Sequence, residues 1–254
     1  MKKVTPKKKR ILIVGDSCRD IFVYCGAKRL APDVPIPVLQ VVSSGDNPGM
    51  AKNVARNVKA IYPHVDLVTN TNWRQVTKTR YMHDVSNQAF MRVDSADAIP
   101  RIKVRSLPLK KYDIIAVSDY DKGFLSSEDV QYICERHPLV FIDTKKILGD
   151  FLKDAAYIKI NRHEYERSEP ISPRLKNKII CTKGSSPVEY RGKQYPVDPV
   201  EVRDSSGAGD SFFAALLVRY AESGDIEESI RFANRCSTEV VQQRGVTIIS
   251  RPSS

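Results

Sequence analysis

The chain has 254 residues, 41% hydrophobic and 28% charged, with 12 Gly and 15 Pro, a globular balance that excludes a collagen-like, coiled-coil or disordered polymer. No apolar run approaches the roughly 18 residues of a membrane span, and the N-terminus is polar where a signal peptide carries an apolar core, so the sequence reads as soluble and cytoplasmic with no membrane partner. Net charge is +11, of which residues 1–10 (MKKVTPKKKR) carry +6, leaving a mildly basic body suited to anionic ligands.

Residues 1–10 read either as a tether for nucleic acid or as a disordered basic leader. No aromatic residue interleaves the lysines, so the leader is the expectation and nucleic acid is not an expected partner. From residue 11 onward one domain is expected to run to residue 254. Its first strand is ILIV (11–14). Residues 20–45, with IPVLQVV (36–42), and 78–94, with FMRVD (90–94), read as strands of a small separate sheet, a flap over the body. Between them Met50, Val54, Val58 and Ile61 line one face of a helix expected over 50–61, behind the breaker Pro48-Gly49. Further short apolar runs follow: VDLVT (65–69), DIIAVS (113–118), LVFID (139–143), AYIKI (156–160) and KIICT (178–182). Continuous β-branched runs separated by tens of residues indicate an α/β fold with a mostly parallel sheet flanked by helices. Two helices close the chain, one apolar nearly all round over 211–222 and one amphipathic over 226–243. An open flap has unpaired edges that a second copy could cover, so a homodimer through the flap is one expectation.

Nearly every expected strand ends in a polar or charged residue: Asp16, Asp119 and Lys122, Asp143 and Lys145, Asn161 and Glu164, then Thr182 and Lys183. In a parallel sheet those ends share the carboxyl edge, where open α/β folds bind ligands. An Asp/Asn/Lys inventory there suits phosphate and metal handling. Neither the five cysteines nor the four histidines show metal-ligand spacing.

The sharpest motif is Asp204-Ser205-Ser206-Gly207-Ala208-Gly209-Asp210, running into the apolar helix at Ser211. Glycines let the backbone approach a ligand closely, and free N–H groups at a helix start form an anion site. Asp210 in the first turn is then either a favourable helix-start carboxylate or the base that draws a proton from a hydroxyl attacking a phosphate. The loop is not a Walker A or a G-x-G-x-x-G motif.

DSSGAGDSF (204–212), followed by FAN (232–234), resembles the signature of ribokinase-like (phosphofructokinase-B type) carbohydrate kinases. GDSCRDIF (15–22), NPGMAKNVARNV (47–58), TKTRYM (77–82), SDYDKG (118–123) and IDTKK (142–146) resemble the kinase domain of the heptose 7-phosphate kinase branch. The resemblance implies a ribokinase-like fold with a β lid. It implies ATP and Mg2+ as cofactors, and a sugar or sugar phosphate as acceptor, D-glycero-D-manno-heptose 7-phosphate above others. It implies Asp210 as base, with Gly207, Ala208 and Gly209 as its anion hole. Asn161, Glu164, Thr182, Gly184 and Asn234 fall on the nucleotide side, and Asp16, Asp20, Gly49 and Asn53 on the sugar side. Asp204 and, indirectly, Glu164 would serve the metal.

The sequence also departs from that pattern. Met50 stands where a second glycine is usual, Lys52 replaces a small residue, and TKGSSP (182–187) lacks its second glycine. The stretch 57–77 is too short for the strand and helix expected there, and 100–110 and 165–177 are abbreviated. A catalytically degenerate binder of nucleotide or sugar phosphate is therefore the alternative reading.

Overall fold

A computed structural model describes residues 8–95 and 98–251. The N-terminal half holds β1 (Ile11–Gly15), β2 (Ser17–Leu30), β3 (Pro37–Met50), α1 (Ala51–Ile61), β4 (Val65–Val68), β5 (Thr77–His83) and β6 (Ala89–Asp94). Then come β7 (Ile114–Asp119), α2 (Ser127–Arg136), β8 (Val140–Thr144), β9 (Tyr157–Asn161), α3 (Arg162–Arg167) and α4 (Pro173–Lys176). The chain closes with β10 (Ile179–Lys183), β11 (Ser186–Tyr190), β12 (Lys193–Tyr195), α5 (Ala208–Ser223) and α6 (Ile226–Val241).

The apolar runs become an eight-stranded sheet in the order β12-β11-β10-β9-β8-β7-β1-β4. It is parallel from β10 to β4, with β11 and β12 antiparallel at one edge. Alternation along β1 sends Ile11 and Ile13 into the core shared with α1, α5 and α6, and Leu12 and Val14 into the core shared with α2. All four are at most 1% exposed, so the strand has no polar face to show. Helix α5 is apolar around most of its circumference because it packs between the sheet and the helices α1 and α6.

The flap is a four-stranded sheet in the order β3-β2-β5-β6. Its strands β2 and β3 are inserted between β1 and α1 and its strands β5 and β6 between β4 and β7, and the turn at Asp16 and the β3–α1 junction at Met50 suspend it over the carboxyl edge of the main sheet. Met50 takes φ 58 and ψ −136 at that junction, a region that favours glycine, while its side chain is buried.

Several expectations change. Residues 1–7 of the basic leader lie outside the described residues, but Lys9 and Arg10 are not leader at all. The Arg10 amide donates to Asp113 at 2.7 Å, its guanidinium pairs with Asp66 at 3.0 Å, and the Tyr62 hydroxyl donates to the Lys9 carbonyl. The stretch 57–77 does contain a strand, β4, paired with β1; what it lacks is a helix between β4 and β5. Helix α5 begins at Ala208, three residues earlier than the apolar run, because the backbone turns at Gly207 before the side chains become buried. The hairpin β11–β12 escaped sequence reading because its strands are short and polar; its turn uses Arg191 and Gly192, both at positive φ.

Candidate active site

A cavity of about 560 Å³ lies at the carboxyl edge of the main sheet, under the lid. It brings together Asp20, Asn53, Asn161, Thr182, Gly184, Asn234 and the whole Gly207–Asp210 turn, residues spread over most of the chain. Asp16, Gly49, Glu164 and Asp204 are not on its wall.

Asp210 is the third residue of α5, and burial combined with its position turns it into the cavity wall. One carboxylate oxygen accepts the Tyr120 hydroxyl at 2.5 Å and the other accepts Asn53 Nδ2 at 2.9 Å. Burial pushes its pKa up to about 6, partly offset by those two hydrogen bonds, while the nearby Asp143 carboxylate raises it further.

The orientation of Asn53 follows from a chain of obligatory donors. The Ile249 amide can only donate, so Asn57 presents Oδ1 to it at 2.8 Å and turns Nδ2 toward Asn53 Oδ1 and the Asn53 carbonyl. Asn53 therefore offers its own NH2 to Asp210. A strand-free C-terminal segment thus sets the geometry of a helix-start carboxylate. Sequence reading missed Asn57 and Tyr120; the signal for the first was an i,i+4 Asn pair inside an otherwise apolar helix face.

Gly207 is needed twice over. Its φ is +79, and a Cβ there would lie 3.2 Å from Asn53 Nδ2. Of the three amides expected to hold an anion, that of Ala208 is taken by the Ser205 carbonyl at 3.2 Å. Those of Gly207 and Gly209 have no acceptor among the described residues, so the anion-binding expectation narrows to these two. Lys159 adds charge beside them: a Cβ on Gly209 would come within 3.2 Å of its ammonium, which is paired with Asp143 at 2.9 Å in a nearly fully buried ion pair.

Asn161 and Glu164 form a capping box at the start of α3, the Asn161 side chain accepting the Glu164 amide at 2.9 Å and the Glu164 carboxylate accepting the Asn161 amide at 2.8 Å. Glu164 also holds Lys145, which reaches the cavity wall. Thr182 donates to the Ile160 carbonyl at 3.3 Å, and Gly184 makes the β10–β11 turn at φ +63. Asn234 donates to the carbonyls of Tyr195 and Pro196, fixing the exit of β12 against α6.

Three expected ligands act from one step behind the cavity. Asp16 is fully buried and accepts the amides of Tyr120 at 2.7 Å and Phe124 at 3.2 Å. Burial, then the neighbouring Asp119, pushes its pKa up to about 6. It is a positioning residue for the loop that carries Tyr120 and not a direct hydroxyl ligand. Gly49 leaves room for a neighbour: a Cβ would sit 2.3 Å from the Asp20 carboxylate and 2.7 Å from Cys18 Sγ. Asp204 accepts the amides of Ser206 at 2.8 Å and Gly245 at 3.0 Å, tying the glycine turn to the C-terminal segment.

The metal expectation changes accordingly. The oxygens of Asp204 and Glu164 are engaged by amides and by Lys145, and no group of three or more His, Cys, Asp or Glu side chains among the described residues could hold a metal ion. Among the buried side-chain oxygens of the cavity wall, Asp143 Oδ1 has no hydrogen-bond partner among the described residues. With no cluster of three ligating side chains among the described residues, the wall fits Mg2+ that keeps its waters and arrives on phosphate oxygens better than a resident cation cage, and Asp143 Oδ1 would be its buried protein contact.

Residues 128–253, from α2 to the C-terminus, match the model of the pfkB family carbohydrate kinase. The chain carries a pfkB family carbohydrate kinase domain. The chain is 27% identical to the bifunctional protein HldE of Nitratiruptor sp., with 94% of this chain and 62% of that protein covered. Against the HldE of Bradyrhizobium diazoefficiens the figures are 26%, 94% and 61%, so the chain spans less than two thirds of these relatives. Among solved structures, ribokinase from Thermotoga maritima superposes with a TM-score of 0.71 at 16% identity, covering 94% of each chain. Ribokinase from Arabidopsis thaliana, solved with ribose and ATP, gives 0.62 at 16% identity, covering 93% of this chain and 94% of that one. The architecture is therefore ribokinase-like, and the family's class of chemistry is phosphoryl transfer to a sugar hydroxyl.

Proposed function

We propose that this domain transfers the γ-phosphoryl group of ATP to a hydroxyl of a sugar phosphate in the cytoplasm, with D-glycero-D-manno-heptose 7-phosphate as acceptor. The observation that carries the reading is Asp210, a buried carboxylate at the start of α5, held in the cavity wall by Tyr120 and Asn53. With a pKa of about 6 it is ionised at neutral pH yet basic enough to draw the proton from an attacking hydroxyl. The Gly207 and Gly209 amides and the α5 dipole face the charge that builds on the transferring phosphoryl, with Lys159 close behind. Bound Mg2+ would neutralise charge on the nucleotide phosphates. Lid closure over the cavity excludes water, which otherwise competes as acceptor.

The choice of acceptor is supported by the N-terminal segments that resemble the heptose branch and by the bifunctional HldE relatives at about a quarter identity. ATP as donor is supported by the neighbour solved with ribose and ATP. Exposed apolar residues on the lid, among them Val41, Val42, Met91 and Val93, support a homodimer through that sheet.

The deciding experiment is ADP release from ATP and Mg2+ against heptose 7-phosphate, fructose phosphates, ribose and adenosine. Turnover with heptose 7-phosphate well above the others is the expected result; turnover with none of them, alongside ATP binding by calorimetry, establishes the degenerate binder instead. Met50, buried in a backbone conformation that favours glycine at the lid hinge, is what keeps that second reading alive.

A further inference from the structure

Four cations reach the cavity wall: Lys78, Arg80, Lys145 and Lys159. Three have carboxylate partners, Arg80 with Asp20 at 2.7 Å, Lys159 with Asp143 at 2.9 Å and Lys145 with Glu164. Lys78 has none among the described residues, although its side chain belongs to a residue only 9% exposed. Its one described contact is the face of the Tyr120 ring, with the ammonium 5.3 Å from the centroid.

Local structure explains where that ammonium points. Alternation along β5 puts Lys78, Arg80 and Met82 on one face, and burial of Lys78 and Met82 identifies it as the face turned toward the body. Lys78 pairs in register with Asp20, and Arg80 with Phe22, whose ring lies under the guanidinium. Arg80 donates through Nη1 to Asp20, which leaves the rest of its planar fork free of acceptors among the described residues. A buried ammonium without an acceptor is costly, and a doubly charged anion entering from the cavity removes that cost. The transferring phosphoryl already has donors on the body, the Gly207 and Gly209 amides with Lys159 beside them, none of them on the lid.

We propose that Lys78, with Arg80 beside it, is the subsite for a phosphate ester that the acceptor already carries, so that the lid closes on phosphorylated sugars in preference to neutral ones. The inference rests on the kinase reading of the cavity and sharpens it: the class of substrate is set by one lid strand, not by the catalytic turn.

The test compares wild type, Lys78→Met and Lys78→Arg with heptose 7-phosphate and with the parent heptose. In Lys78→Met the preference in kcat/KM for the phosphate ester should fall roughly 30-fold or more, through the KM of the acceptor and not that of ATP, with Lys78→Arg recovering most of it. Lys78→Met should melt no lower than wild type, since no ion pair is broken; a purely structural lysine would lower it. An unchanged preference, or a rise confined to the KM of ATP, overturns the proposal. Calorimetry with heptose 7-phosphate and fructose 6-phosphate in the absence of ATP separates the two readings. Binding that Lys78→Met weakens, without ADP release in wild type, would sink the kinase proposal and keep this subsite; no binding of either ester by wild type would sink the subsite.

Discussion

The main sheet and the lid are made from the same β-branched residue types and use them in opposite ways. In β1, Ile11 to Val14 are at most 1% exposed and every side chain packs on a helix. In β3, Val41 and Val42 are neighbours in sequence, hence on opposite faces, yet are 64% and 63% exposed. Burial on the lid strands is confined to the hinge residues Ser17, Cys18, Gly49 and Met50 and to Phe22, Cys25, Lys78 and Met82. The body thus derives its rigidity from burial on both faces, whereas the lid is anchored at its hinge and along one face and depends on what lies beneath it. A catalytic carboxylate belongs on the first kind of element and a substrate clamp on the second.

Substitutions can break that contrast. Ile13→Ala, deep in the main sheet, should cost about 2–5 kcal/mol in chemical denaturation, whereas Val42→Thr on the lid should stay within about 0.5 kcal/mol. Equal losses at the two positions would mean the lid is packed in solution against something as extensive as the main core, and a concentration-dependent loss at Val42 would identify that partner as a second copy. Asp210→Asn should lower kcat by ~10²-fold or more while ATP still binds in calorimetry, because it removes the base and not the cavity. Near-wild-type turnover would remove Asp210 from the chemistry.

The smallest effect is the most diagnostic. Asp210 must be ionised to accept a proton, so kcat/KM should rise with pH through a limb near 6, the pKa to which burial pushes it. The Tyr120 hydroxyl stabilises the carboxylate, so Tyr120→Phe should move that limb to higher pH with little change at pH 8. For stability the sign is reversed. Native Asp210 and Asp16 hold protons that the unfolded chain releases, so folding weakens as pH rises from the ordinary carboxylate range through about 6.

Much of the site was legible because its backbone requirements are written as residue types. The Gly207-Ala208-Gly209-Asp210 turn announces a tight approach and a helix start, and strand ends rich in Asp, Asn and Lys announce a ligand edge. What could not be read was which carboxylates keep a free face. Asp16 and Asp20 are four residues apart and chemically identical, yet the first is closed off by the amides of Tyr120 and Phe124 and the second reaches the cavity. Asp204 and Asp210 bracket one short loop, and only the latter faces the ligand space. The role of Tyr120 was equally hidden, since the donor and the carboxylate are 90 positions apart.

The sequence by itself determined the periodicities of burial, the α/β class, the two lid segments and the glycine turn, all of which depend on neighbours a few residues away. Tertiary structure alone decided how the polar groups pair. Hydrogen bonds and charges act over a few ångströms in space, so the line from Ile249 through Asn57 and Asn53 to Asp210, and the seat of Lys78 on the Tyr120 ring with no carboxylate partner among the described residues, exist only once distant segments have been brought together.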